Sequence, residues 1–327
     1  MKLLHRRQFL QLAASAAAQL VLPRIARAQA YPTRPVKFIV PFGPASGADI
    51  TARLFADRLA TRWGKPVVVE NRPGGDGLIG ISAFVGANDD HSLLFSPVGT
   101  FAVHTYGHER LPYSMERDLL PIASVSTIVL AVSVSESLKV HSLADVVALA
   151  RAQPGKLNAA AANGLTDFLL FGFLKDAGLQ MAKVPYRDIN QAPNDLAEGR
   201  IQVLMTSLAA VQPQMQTGRV KVVAVTSRVR ASTVPEVPTV VEAGYPALAL
   251  DGLVGLFGPR GMSSELRERI ATDFRAVAAA DTLIATRLEA TGQIVDIRGP
   301  AEFAAGVEEQ RAKLAAIAKT LGIKPAQ

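Results

Sequence analysis

"VVVENRPGGDGLIG", residues 67–80, decides between two folds. A β-branched run with the signature of a strand ends in Glu70-Asn71-Arg72-Pro73, and Gly75-Asp76-Gly77-Leu78-Ile79-Gly80 then spells G-x-G-x-x-G. In a dinucleotide-binding fold the glycine turn follows its strand directly, so that the pyrophosphate meets the helix start. Here Glu70 to Pro73 intervene. The acidic residue expected roughly 20 positions on, to hold the ribose hydroxyls, is missing as well, because "SPVGTFAVHTYG" (96–107) holds none. The unit's first strand is also a different one, at 36–42. A lone G-x-G-x-x-G is weak evidence for a nucleotide, and a flexible surface turn satisfies the same pattern.

On either side of this stretch, short β-branched runs alternate with helical patterns. "VKFIVPF" (36–42) reads as a strand, and "GADITARLFADRLATRW" (47–63) as a helix with Ile50, Leu54, Leu59 and Trp63 along one stripe. "LIGISAFVGA" reads as a helix and "HSLLFS" as a third strand, while "LLPIASVSTIVLAVSV" (119–134) is long enough to cross between lobes. A second α/β set runs from "SLADVVALARA" to "VKVVAVTS", and "LDGLVGLFGP" (250–259) looks like a return strand. The end is helical, with Phe303, Val307, Leu314, Ile317 and Leu321 on one side after Pro300 at a helix start. The Arg/Pro-rich 227–239 is the longest expected loop. Strand–helix alternation of this kind predicts two α/β lobes.

Three loops at strand ends carry small, amide-rich residues: "VPFGPASGAD", "SPVGT" and "AAANGLTD". Each leaves backbone N–H groups free at a helix start, where the dipole favours an anion. Together they predict a cleft lined by amides and hydroxyls. Asp49 sits where a carboxylate favours a helix start, and Arg72 where it would brace its loop in a salt bridge. His91, His104, His108 and His141 have no metal-ligand spacing, and only His104 lies near one of the loops. Ser46, in G-P-A-S-G, is not in the G-x-S-x-G elbow of a hydrolase.

The N-terminus reads separately. "MKLLHRRQFLQLAASAAAQLVLPRIARAQA" has a basic start, an apolar stretch and small residues at cleavage spacing, so residues 1–30 read as an export signal cut near Ala30. Arg6-Arg7-Gln8-Phe9-Leu10 resembles a twin-arginine signal, and general secretion stays open beside it. That segment carries Lys2, Arg6, Arg7, Arg24 and Arg27 and no acidic residue, so of the 35 basic residues 30 remain against 28 acidic ones, a net +2. The formal +7 is mostly the signal's and gives no argument for nucleic acid. With no cysteine, disulfide and thiol chemistry are excluded.

Four blocks together resemble the Bug family, the extracytoplasmic solute receptors of tripartite tricarboxylate transporters. "YPTRPVKFIVPFGPASGADITAR" is similar to the family's opening motif and "VVVENRPGGDGLIG" to its second; "VPYRDINQAPNDLAEGRIQVLM" and "VKVVAVTSRVRASTVPEVPTVVEAGYP" match later blocks. The likeness runs over 31–327. It implies a two-lobed α/β periplasmic binding protein of type II-like architecture, a ligand cleft between lobes and no catalysis. The lobes would be 31–130 with 253–327, and 131–252. The implied ligand is a small carboxylate. Ala45, Ser46, Gly47, Gly99 and Thr100 would hold it from the first lobe, and Asn163, Gly164, Thr166, Tyr186, Thr206 and Ser207 from the second. The resemblance implies no cofactor and no metal, a periplasmic monomer, and the transporter's large and small membrane subunits as partners.

Several positions depart from the family pattern. Ala45-Ser46 replaces a glycine pair, His104-Thr105 an Asn-Pro, Phe168 a frequent His, and Thr206-Ser207 an Asp-Asn. Asp188 and Gln191 stand where a Gly and a Pro are usual. These departures imply a diverged specificity pocket. Two rivals remain at this level: a receptor reporting to a signalling partner, and an NAD-dependent α/β enzyme, for which the sequence shows neither a ribose-binding acid nor a catalytic dyad.

Overall fold

Parallel strands covered on both faces become near-continuous apolar runs. β1 (Val36–Val40), with only Lys37 exposed, is such a strand at the heart of the first sheet. In the computed structural model, which describes residues 31–162, 164–186 and 189–325, the chain from Arg34 onward forms one compact unit built on two sheets. The export-signal reading of residues 1–30 and the site residue Asn163 lie outside the described residues.

The first sheet combines β1 with β2 (Val67–Asn71), β3 (Ser92–Pro97), β4 (Leu120–Ile128), β10 (Gly252–Gly258) and β11 (Gln293–Val295), in the order β11-β4-β10-β3-β1-β2. β1 lies parallel to β2 and β3, and β10 is antiparallel to both β3 and β4. The second sheet runs β7 (Ala182–Lys183), β6 (Asn158–Ala161), β8 (Val203–Ser207), β5 (Leu130–Ser135), β9 (Val220–Val225). The expected strand at 36–42 stops at Val40, because Pro41 has no N–H to give a ladder. The segment expected to cross is two strands, β4 and β5, in different sheets, with Val129 between them. The chain returns at Gly252, which pairs with Ile128, so the two crossings run side by side. A Cβ on Gly252 would stand 2.5 Å from the Ile128 carbonyl oxygen, so only glycine allows this approach. Val129 is tied to both halves: its N–H donates to the Gly292 carbonyl and its own carbonyl accepts from Leu208.

The helix Gly47–Trp63 forms where its sequence predicts, capped by the Ser46 hydroxyl and ended by Gly64 at φ 62°. Of the expected stripe Leu54 and Leu59 are buried while Ile50 and Trp63 are only half-buried, and the buried face extends over Ala48, Ala52 and Phe55. The aromatic rings decide this, since Phe55 stacks on Phe274 with centroids 5.0 Å apart. The final helix, Pro300–Leu321, buries Phe303, Val307 and Leu314 as expected and packs against the helix Leu165–Asp176. Ile317 fits there because Gly172 has no Cβ. No helix among the described residues is long and apolar enough to cross a membrane.

One carboxylate beside the first sheet gives this fold an acid-sensitive tie. Asp118 is 3% exposed and accepts from both Arg117 nitrogens and the Ser114 amide, with Arg260 at 3.2 Å. The Arg117 hydrogen bonds, opposed by burial and helped by Ser114 and Arg260, hold its carboxyl at about 2. A lowered folded-state pKa contributes stability that is present above the unfolded value near 3.9 and lost as pH falls through the folded one. Between about pH 4 and pH 2 the protein is therefore expected to lose about 1–2 kcal/mol through this group, discounted because its arginine partners reach solvent. Asp118→Asn should flatten that part of the stability curve in urea titrations at stepped pH; an unchanged curve would remove the assignment.

Candidate functional site

The parallel strands of both sheets send their C-terminal ends toward one cavity of about 940 Å³. Ligands in open α/β sheets bind outside the carboxyl ends of strands. Here β1 supplies Pro41, Phe42, Gly43 and Ser46, β2 the segment Pro73–Gly77, and β3 Pro97, Gly99 and Thr100. From the second sheet come Ala162, Gly164, Leu165, Thr166 and Phe168 after β6, Ile189 and Asn190 after β7, and Thr206 and Ser207 at the end of β8. Ile128, Leu130 and Gly252 add the side-by-side crossings, so the cavity sits where the sheets are joined.

Of the expected ligand residues, the cavity brings together Ser46, Gly99, Thr100, Gly164, Thr166, Thr206 and Ser207. Ala45 and Gly47 flank Ser46 in the same loop without lining the cavity. Tyr186 is not a lining residue: its hydroxyl donates to Asp195 at 2.8 Å, and Arg200 holds the same carboxylate. Burial and the Asp195 carboxylate together push the phenol's pKa up, so it stays a neutral donor. Nothing in a tyrosine's sequence context distinguishes this use from ligand contact.

The loop after β1 is built around buried Asp49. Its carboxylate accepts from the Ala45 amide at 2.9 Å, from Asn71 Nδ2 at 2.8 Å and from Arg53 Nε at 3.0 Å. Burial pushes its pKa up, but the bonds from Arg53, Asn71 and Ala45 outweigh it and hold the group ionised. Asn71 also donates to the Phe42 carbonyl at 3.0 Å, which ties the β1 and β2 loops together. Ala45 takes φ 63° there, a conformation usually left to glycine. Ser46 accepts from the Asp49 amide at 3.3 Å and keeps its own proton to donate. The Gly47 and Ala48 amides, first in the helix, make no hydrogen bond to another described residue.

The glycine-rich loop joins the site, a contact the sequence reading did not assign. Gly74, Gly75, Asp76 and Gly77 all have positive φ and all line the cavity. Two of the motif glycines are required by packing. A Cβ on Gly77 would meet Thr100 Cγ2 at 2.8 Å, and one on Gly80 would meet Pro41 Cα at 2.7 Å and the Arg72 carbonyl oxygen at 2.8 Å. Arg72 pairs with Glu70 at the surface, as its position suggests. His104, 1% exposed, fixes the loop from the other side. Its Nε2 lies 3.0 Å from the Asp76 carbonyl, which can only accept, so Nε2 carries the proton and Nδ1 accepts from Tyr113 at 2.7 Å. Burial lowers the His104 pKa, which keeps this neutral tautomer at pH 7.

Among the described lining residues the titratable side chains are Asp76, His104 and His108, with no Lys or Arg. The helices Gly47–Trp63, Val98–Ala102, Leu165–Asp176 and Leu208–Gln216 all start at the cavity. The Thr100, Thr206 and Ser207 hydroxyls bond to no other described residue, and Thr206 is only 5% exposed. Helix starts and unpartnered hydroxyl donors together suit an anion. Away from the cavity, Asp89, Asp90 and His91 come within 4.8 Å of one another, but Asp89 is already engaged by Arg34, Ser92 and the His91 amide.

A family model described as "Tripartite tricarboxylate transporter family receptor" matches residues 51–323. Protein BugT of Bordetella pertussis is 30% identical over 287 residues, 82% of this chain and 87% of its own length. Among solved structures, R. palustris Rpa4515 with adipate is 28% identical with a TM-score of 0.76, covering 90% of this chain and 99% of that one. The periplasmic binding protein BugD, at 24% identity, covers 90% of this chain and 99% of its own with a TM-score of 0.72, and shares its two-sheet α/β fold.

Proposed function

The chain belongs to the tripartite tricarboxylate transporter receptor family, and on that premise we propose that it is an exported periplasmic receptor that binds a small carboxylate without turning it over. It hands that ligand to the large and small membrane subunits of a tripartite transporter, acting as a monomer. The observation that carries this reading is the convergence of helix starts and unpartnered hydroxyls on one cavity at the junction of the sheets. A carboxylate there is matched by dipoles and donors already in place, with little reorganisation on binding. In this reading 31–130 with 253–327 forms one lobe and 131–252 the other. The lobes close on the ligand by bending at Val129 and Asp251, where the chain changes sheet.

A ligand bound only by the folded state stabilises it by about 2.7 kcal/mol at a hundred times its dissociation constant. With roughly 2–4 °C of melting shift per kcal/mol, a cognate carboxylate should raise the melting temperature by about 5–10 °C while NAD and NADP leave it unmoved. Ser46→Ala should weaken that ligand roughly ten- to a hundredfold, the worth of a hydrogen bond to a charged group. Thermal melts across a panel of small carboxylates make the test. No shift with any of them, or a shift with NAD, would defeat the receptor reading. Mature protein beginning at Tyr31 would support export.

A further inference from the structure

We infer that the ligand is an amphipathic monocarboxylate, with one charged end at the helix starts and an aliphatic or aromatic body against the rest of the cavity. This rests on the carboxylate-receptor reading and narrows it. The cavity has a polar part and an apolar part. Ser46, Thr100, Thr206 and Ser207 bring hydroxyls to the helix starts. Phe42, Val103, Ile128, Leu130, Leu165 and Phe168 line much of the remainder. Phe168, at the start of the helix Leu165–Asp176, adds apolar wall.

Among the described lining residues a second carboxylate finds no Lys or Arg to pair with. Of the cations on nearby segments, Arg53 is paired with Asp49, Arg72 with Glu70 and Lys183 with Asp167. Among the described residues the carboxylate that lines the cavity is Asp76, exposed on the glycine-rich loop. A dicarboxylate would place its far end against apolar side chains and within the field of Asp76. Both effects oppose binding, the first by desolvation and the second by like charge. An apolar body meets neither penalty and gains about fourfold in affinity for each methylene it buries.

Isothermal titration with butyrate, hexanoate, benzoate, adipate and ε-aminohexanoate tests this, since three of these share one chain length and differ only at the far end. Hexanoate should bind about tenfold or more tighter than either adipate or ε-aminohexanoate, and about tenfold tighter than butyrate. Asp76→Asn should raise the affinity for adipate relative to hexanoate severalfold. That variant keeps the fold, because asparagine tolerates the φ of 53° at this position and the carbonyl held by His104 is retained. Adipate binding tighter than hexanoate would overturn the inference and leave the receptor reading intact. Tighter ε-aminohexanoate, lost in Asp76→Asn, would replace it with a zwitterion receptor. Failure of these and every other small carboxylate would remove both readings together.

Discussion

Asp49→Ala is expected to destabilise the protein by about 2–4 kcal/mol and to weaken carboxylate binding with it. The carboxylate is 2% exposed and accepts hydrogen bonds from the Ala45 amide, Asn71 and Arg53. Truncation leaves the amide and the Asn71 side chain without their acceptor. Breaking a buried ion pair usually costs about 3–5 kcal/mol, and this pair falls lower because Arg53 is half in water and rehydrates. The binding loss follows from the same bonds. Asp49 sets the turn that presents Ser46 and the first helix amides, and Asn71 links that turn to the β2 loop. Because the Asp49 pKa is lowered, the contribution is present above the ordinary aspartate range and disappears as pH falls through the lowered value. Guanidinium unfolding of the variant decides it: a loss under about 1 kcal/mol would mean the loop holds itself without this carboxylate.

Asp49 also shows which parts of the structure were legible in advance. A carboxylate in the first turn of a helix is a local signal, and the helix start appears where it predicts. Strand ends with small residues are local signals too, and seven of the expected ligand residues do line one cavity. What the sequence left out is what depends on contacts between distant segments. The buried face of the helix Gly47–Trp63 keeps Leu54 and Leu59 of its expected stripe but takes in Phe55, because Phe55 finds Phe274 far along the chain. Tyr186 sits in a block that suggested ligand contact, yet Asp195 takes its hydroxyl. His104 carries no sequence mark of its role, which depends on a carbonyl 28 positions away. The apolar walls of the cavity were invisible for a related reason, since Ile128 and Leu130 read as ordinary strand residues until two crossings lie side by side.

The G-x-G-x-x-G motif makes the same point through its last glycine. Gly80→Ala should cost about 3 kcal/mol although it adds one methyl to a helix, where alanine is intrinsically preferred. That methyl would lie 2.7 Å from Pro41 Cα and 2.8 Å from the Arg72 carbonyl oxygen, and both obstacles are backbone. Neither can move alone, because Arg72 donates to the Val40 carbonyl where β1 and β2 run parallel. The helix Leu78–Ala87 must shift outward instead, and it carries with it the loop Gly74–Gly77 that lines the cavity. Carboxylate affinity should therefore fall in the same variant. Gly86→Ala is the matched control: it lies in the same helix with nothing within 4 Å of its would-be Cβ, and it should stabilise by about 0.5–1 kcal/mol. The last glycine of a motif that resembles a nucleotide fingerprint is thus required by close packing of backbone on backbone. Outcomes of opposite sign for two glycine-to-alanine changes six positions apart separate that cause from helix propensity. If Gly80→Ala instead stabilised the protein as Gly86→Ala does, the close approach to Pro41 would not be what the motif preserves.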